Sequence, residues 1–373
     1  MSAGAEVAPE AGPEAGPEAG LLEHERHNTR ADSASIRFWA RTIGDRNPRY
    51  VSPSYVCGYG GGRFQPHPCW LYSVHDTCIG TGHPGTVPVL AGTAWAFARA
   101  VRPGQQIATV ARLAGQRIVE GRFGGPTPVQ QIEVSYAGPD GDPIATAAST
   151  VFLVNPERAR QRGKFAGWKR WRYTPEQLAL IEQTADAESA DYARATPPRY
   201  WDEVSAGQAL TPIVRGPLTS EELTLFIGAT RPARSAEAFT ADRLAARTAT
   251  FVHPRTGVYE TYEAGFVDDE SARQLGFPAA HDPGTDRISY LASLVTGWMG
   301  PAGELRALDV RLTEPHMMGD TSWCHGRVRE LGRPSARSGY VIVDLEIVNQ
   351  AGHPTAAGHA VVELPLRQAG QLR

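Results

Sequence analysis

Two short stretches carry the side chains best suited to moving protons. In IGDRNPRY, Ile43 to Tyr50, a carboxylate (Asp45), an amide (Asn47) and a phenol (Tyr50) lie close together, and in AAHDPGTDRISYL, residues 279–291, His281, Asp282 and Arg287 flank a Pro-Gly turn. A carboxylate or an imidazole within hydrogen-bond reach of a substrate can act as acid or base. A phenol, with an ordinary pKa of about 10, donates near neutrality more readily than it accepts. Each group also has a structural use. Asp in Gly-Asp-x-Asn-Pro can bond its own turn, and Asp282 can cap the helix that follows it. Arg287 can pair with Asp286 or Glu263, or can fix a carboxylate or phosphate. His67, in QPHPCW, stands at a similar helix entry in the first half of the chain.

The elements around these residues repeat. An alternating strand (QIEVSY), a Gly-x-Pro turn and a second strand (GDPIATAASTVFLV, 141–154) recur as VDLEIV and GHPTAAGHAVVEL (352–364), with 211 residues between Gly141 and Gly352. WAFARAVRPGQQI (95–107) and VRLTEPHMMGDTSW (310–323) both read as strand, turn, strand. SASIRFWARTIGD, with Ser33 as N-cap, answers to TSEELTLFIGA, where Thr219 and Glu222 form a capping box. A second helix is expected near 69–79 and again near 285–298, so each unit is α+β, with helices and three or more antiparallel strands.

Residues 1–30 begin with a Pro/Gly/Glu/Ala repeat and read as a disordered tail. The first unit then spans 31–155 and the second 206–373. A linker, 156–205, holds a helix starting at Thr174-Pro175-Glu176 and running to about 193. Within it, 158–172 carries seven Lys or Arg beside Trp168 and Trp171, a pattern that suits either a solvated strap or a phosphate-rich ligand. GYGGGRF (58–64) reads as a flexible overhang above a pocket, and FGGPTP (123–128) as a hairpin loop.

The composition is that of a globular protein: 373 residues, 41% hydrophobic, 21% charged, net charge −3. Neither nucleic acid nor membrane is an expected partner, since no apolar run approaches the roughly 18 residues a spanning helix needs. Cys57, Cys69, Cys78 and Cys324 show no metal spacing and are expected as free thiols, with a cytoplasmic location.

Helix, GDxNP loop, second helix, strand with xRPG and terminal GxPxAxG strand together resemble the MaoC-like family of (R)-specific enoyl-CoA hydratases and dehydratases, over about residues 33–366. The resemblance implies a double hot dog: two tandem units whose antiparallel sheets wrap long central helices. It implies lyase chemistry at the 2,3-bond of an acyl thioester carried on coenzyme A or an acyl carrier protein, with no metal and no further cofactor. It also implies a possible homodimer, or a hetero-oligomer with another hot dog protein.

Carried over by position, Asp45 matches the family's catalytic acid, with Asn47 and Pro48 shaping the loop. Tyr50 stands where the family has His. FIGATRPARSAEAF occupies the loop of the second half with neither acid nor His. Gly284 matches the oxyanion-donor position at the start of the long helix, where free amides favour negative charge. The candidate catalytic residues are therefore Asp45, Tyr50, His281 and Asp282, with Asn47, His67, Gly284 and Arg287 at the substrate. Two other readings share the fold: a non-catalytic acyl-binding subunit that needs a partner, and a biosynthetic enzyme performing a conjugate addition or cyclisation.

Overall fold

The computed structural model describes residues 21–22, 26–55, 63–193, 198–231, 249–333 and 335–367. Most of the overhang GYGGGRF and most of the 1–30 tail lie outside them. Eight long strands and one short one form a single antiparallel sheet in the order β2-β3-β4-β1-β8-β11-β10-β9-β5. The first unit supplies β1 (Val87–Phe97), β2 (Ala108–Gly121), β3 (Gly125–Ala137) and β4 (Pro143–Val154). The second supplies β5 (Ile213–Arg215), β8 (Glu304–Leu312), β9 (Ser322–Gly332), β10 (Ser338–Val348) and β11 (Pro354–Pro365), while β6 (Thr250–Val252) and β7 (Tyr259–Thr261) pair apart.

The two units join where β1 pairs β8, Gly92 opposite Arg311 and Ala96 opposite Ala307. Backbones approach closely there: a Cβ on Gly92 would stand 2.4 Å from the Val310 carbonyl oxygen, which only glycine avoids. Equivalent strands flank the seam on both sides, β4 beyond β1 and β11 beyond β8, so the repeat seen in the chain becomes a near-symmetric sheet. This is the double hot dog arrangement.

The helices do not follow that symmetry. The second unit has the expected long helix, Thr285–Met299, buried on nearly every side by the curved sheet. In the first unit the segment expected as a helix near 69–79 is a 3-10 turn, Pro68–Ser73. Its Trp70, Leu71 and Tyr72 are sealed in the core, and Tyr72 accepts a hydrogen bond from Trp95 Nε1 at 2.9 Å. Beyond it the Asp76 carboxylate takes the Cys78 N–H at 2.8 Å, a local bond that favours a turn over a helix. Aromatic bulk, with Trp39 and Tyr136 alongside, fills the space a second central helix would occupy.

Helix α1 (Ser33–Thr42) is capped by Asp32, not Ser33; the Asp32 carboxylate accepts from the Ala34 and Ser35 amides. Helix α5 (Ser220–Thr230) has the Thr219–Glu222 capping box that the sequence predicts. The two meet across the units through Trp39 and Phe226, 5.5 Å between ring centroids.

Part of the segment expected as tail is held in place: Leu21 bridges to Arg112 and Arg30 to Gln106 along β2. The linker also belongs to the body. Its helix α4 (Pro175–Ala193) spans the expected residues and carries Glu188, which makes a bidentate pair with Arg215 of β5. The basic segment before it is a strap whose cations find local partners: Arg162 with Glu120, Lys164 with Glu314 and Arg170 with Asp269. No helix among the described residues is long and apolar enough to cross a membrane.

Candidate functional site

The signature loop is built by its own hydrogen bonds. Asp45 Oδ1 accepts the Asn47 N–H at 2.8 Å, and the side-chain Oδ1 of Asn47 caps a short helix, Pro48–Val51, by accepting the Arg49 N–H at 3.0 Å. The turn role expected of this motif is therefore present. It does not exhaust Asp45, because Oδ2 is buried without a hydrogen-bond partner. That oxygen faces His67 Nε2 at 3.9 Å. His67 Nδ1 accepts the Cys69 N–H at 3.1 Å, so the ring proton resides on Nε2, 3.3 Å from Ser293 Oγ on the central helix. Tyr50 stands edge-on to His67, 5.1 Å between centroids, its hydroxyl also unpartnered.

Arg215 braces this cluster. It donates from Nε to the Ile43 carbonyl at 3.0 Å and lies beneath Gly44, whose φ of +67° and close approach favour glycine. Burial raises the Asp45 pKa from 3.8 to about 6, partly opposed by the Arg215 charge. Burial also lowers His67 to about 3 and raises Tyr50 to about 12, so both are neutral near pH 7. Asp45, Tyr50 and His67 thus come together as one buried group, with half-buried Asn47 shaping the loop beside it. The cavity beside Tyr50 and His67 is about 50 Å³.

The remaining candidates line a different and larger cavity of about 310 Å³, which shares no lining residue with the first. His281, Asp282, Gly284 and Arg287 all border it, at the entry to the central helix. Gly284 is the N-cap, with φ +87°, and Asp282 does not cap. Instead Asp282 accepts from Arg287 Nε at 2.5 Å and from the His316 N–H at 2.9 Å. Arg287 Nη1 donates to the carbonyls of Glu314 and Thr355. Arg287 therefore pairs with Asp282, not with Asp286 or Glu263, and its donors are taken up inside the protein. Burial opposes the Asp282 charge, but the Arg287 charge holds its pKa below the usual carboxylate value. Burial and the Asp282 charge push neighbouring Asp286 well above it.

His281 is differently placed. Its ring stacks on Phe277 at 3.9 Å, Nδ1 has no hydrogen-bond partner, and burial lowers its pKa to about 4. Two residues that sequence reasoning passed over join it in this cavity. Arg231, at the end of α5, pairs with Asp76 of the first unit at 3.3 Å and with Glu263. The signal for Arg231 lay in the repeat, where GATRP aligns with GDRNP and places Ala229 opposite Asp45 and Arg231 opposite Asn47; Asp76 had none. Among the described residues no group of three or more His, Cys, Asp or Glu could hold a metal ion.

Comparison with known proteins agrees with this architecture. Residues 25–147 match a family model described as the FAS1-like dehydratase domain region. A solved MaoC-like dehydratase superposes with a TM-score of 0.61 at 15% identity, covering 92% of this chain and 97% of that one. A putative MaoC domain dehydratase from Chloroflexus aurantiacus gives 0.56 at 15% identity, with 94% and 96% covered. A MaoC-like dehydratase from Phytophthora capsici gives 0.51 at 11%, with 95% and 98% covered. No curated protein matches at the level of sequence. The chain thus has the α+β double hot dog fold seen in MaoC-like dehydratases, and the match to the FAS1-like dehydratase region falls on its first unit.

Proposed function

We propose that this protein is a hydratase or dehydratase acting on the 2,3-bond of an acyl thioester, and that the reacting end of the substrate sits in the large cavity. The observation that carries this reading is the meeting, in one apolar cavity of about 310 Å³, of the N-terminus of a buried 15-residue helix and an imidazole nitrogen without a partner. First-turn amides have no acceptor within their helix, so a thioester oxygen that gains charge as the enolate forms is stabilised there.

His281 is the proton carrier in this scheme. Burial keeps it neutral at pH 7, so Nδ1 is available to take the α-proton as the Cα–H bond breaks. The imidazolium formed is a strong acid in this setting, and it returns the same proton to the departing β-hydroxyl, which leaves as water. Hydration runs the sequence in reverse. Arg122, Arg162, Lys164 and Glu314 line a surface depression at the cavity mouth; Arg162 and Lys164 are paired with Glu120 and Glu314, so Arg122 is the cation we assign to a phosphate-bearing carrier such as coenzyme A or a carrier protein's prosthetic arm. Asp45, Tyr50 and His67 shape the first unit's loop, beside a cavity too small for an acyl chain.

The test is turnover of a trans-2-enoyl thioester followed by loss of the conjugated absorbance. His281→Gln should abolish it while the fold survives, and Asp45→Asn should leave most of it. Loss of turnover in Asp45→Asn alone would move the chemistry to the first unit.

A second reading is an acyl-binding subunit that borrows its acid–base pair from another hot dog protein. What favours it is Ala229 where the second loop would carry its acid, together with the mutual pairing of Asp282 and Arg287. Protein that is inert alone and active when mixed with such a partner supports this reading.

A further inference from the structure

The large cavity has one continuous aromatic wall. Phe165, on the strap between the units, meets Phe123 at 5.4 Å, and Phe123 meets Phe277 at 4.9 Å, centroid to centroid. Phe277 stacks on His281 at 3.9 Å, and His281 meets Phe266 at 5.3 Å. A cation closes each end: Lys164 Nζ lies 4.9 Å from the Phe165 centroid, and the Arg231 guanidinium carbon lies 5.4 Å from that of Phe266. All seven residues line the cavity. Val87, Val89 and Leu90 of β1 border it as well, so aromatic rings and branched aliphatic side chains share one slot. Three sequence regions supply the wall: the β2–β3 hairpin, the strap and the approach to the central helix.

We infer that this wall makes the protein selective for planar, conjugated acyl groups over saturated ones of the same carbon count. The inference rests on the acyl-thioester reading above. Burial of apolar area alone favours the more hydrophobic saturated group. Ring faces add a preference of their own, because aromatic pairs in offset or edge-on geometry gain attraction beyond their buried area. Apart from the Phe277–His281 stack, neighbouring rings are tilted by 57° to 65°, so the wall offers edges as well as faces. An aromatic group meets it edge-on or offset, contacts that a saturated ring system cannot reproduce. The fixed Arg231, held by Asp76 and Glu263, sets a polar end to the slot.

The experiment is equilibrium binding, by calorimetry, of two pantetheine thioesters: 2-naphthoyl and decahydro-2-naphthoyl. They have equal carbon counts, and neither offers a hydratable 2,3-bond, so binding is read without turnover. The flat ligand should bind roughly fivefold to tenfold more tightly, the range expected from one or two good ring contacts. Phe277→Leu, and separately the half-buried Phe123→Leu, should each erase most of that preference by weakening the flat ligand several-fold more than the decahydro ligand. Equal or reversed affinities in the parent protein overturn the inference, as does a preference that survives both substitutions. Should the preference hold and depend on these rings while no enoyl thioester is turned over, the hydratase reading fails and the selectivity of the wall stands.

Discussion

Asp45 Oδ2 and His67 Nε2 stand 3.9 Å apart with neither side chain exposed to solvent, one on the signature loop and the other at the entry of the 3-10 turn. Each is held by an amide N–H that its partner cannot replace, Asn47 N–H on Asp45 and Cys69 N–H on His67. The arrangement keeps an aspartate in the interior with one oxygen unbonded.

That burial has a measurable cost. Folding raises the Asp45 pKa from 3.8 to about 6, so the folded state holds this proton more tightly than the unfolded chain. The stability linked to it is full below pH 4 and is lost as pH rises through 6. Asp45→Asn keeps the acceptor for the Asn47 N–H and removes the ionisation. It should be more stable than the parent by about 2 to 3 kcal/mol at pH 8, with the difference vanishing near pH 4. Urea unfolding at the two pH values checks this, and equal stabilities at pH 8 would refute it.

Three buried histidines act in the opposite sense. Burial lowers His67, His281 and His316 to between about 3 and 4, whereas the unfolded chain protonates them near 6.5. Their contribution is complete above pH 6.5 and falls on acidification, each by up to about 1.4 kcal/mol per pH unit. His316→Gln, at a site bonded to Ser322 and Thr355, should flatten the acid limb of a stability–pH curve by one proton.

The Arg215–Glu188 pair ties the linker helix to the signature loop, with both side chains at least nine-tenths buried. Arg215→Met removes the bidentate partner of the buried Glu188 carboxylate and should destabilise the protein by about 3 to 5 kcal/mol. Combining it with Glu188→Leu should recover most of that loss in denaturant melts. Additive effects would mean the two do not act as a pair.

Gly284 begins the central helix in the left-handed region, and a Cβ there would meet Leu312 Cδ1 at 2.5 Å. Gly284→Ala should cost about 1 to 2 kcal/mol from backbone strain alone. It should also weaken thioester binding by narrowing the approach to the helix amides, read as a raised KM beside a lowered melting temperature.

Local features were legible because their causes are local. The Thr219–Glu222 box, the helix from Pro175 and the strands after each Gly-x-Pro turn depend on neighbours within a few residues. The 3-10 turn at Pro68–Ser73 was not legible, since PCWLYS has the apolar content of a helix, and the packing of Tyr72 against Trp39 and Trp95, with the Asp76 turn beyond it, decides otherwise. The division of the candidate residues between two cavities was hidden for the same reason. Which loop faces which helix entry is set by long-range sheet pairing. Arg287 found Asp282, five residues earlier, and not the Asp286 or Glu263 that the sequence offered.

The seam between β1 and β8 carries an implication for how such a protein can change. In a symmetric pair of identical chains every substitution is inherited twice, so a lost acid or a shortened helix strikes both pockets at once. Here one continuous chain fixes the two halves in a one-to-one ratio, with Gly92 set against Arg311. One half has exchanged its helix for an aromatic plug while the other retains the room, an asymmetry that separate identical copies could not sustain.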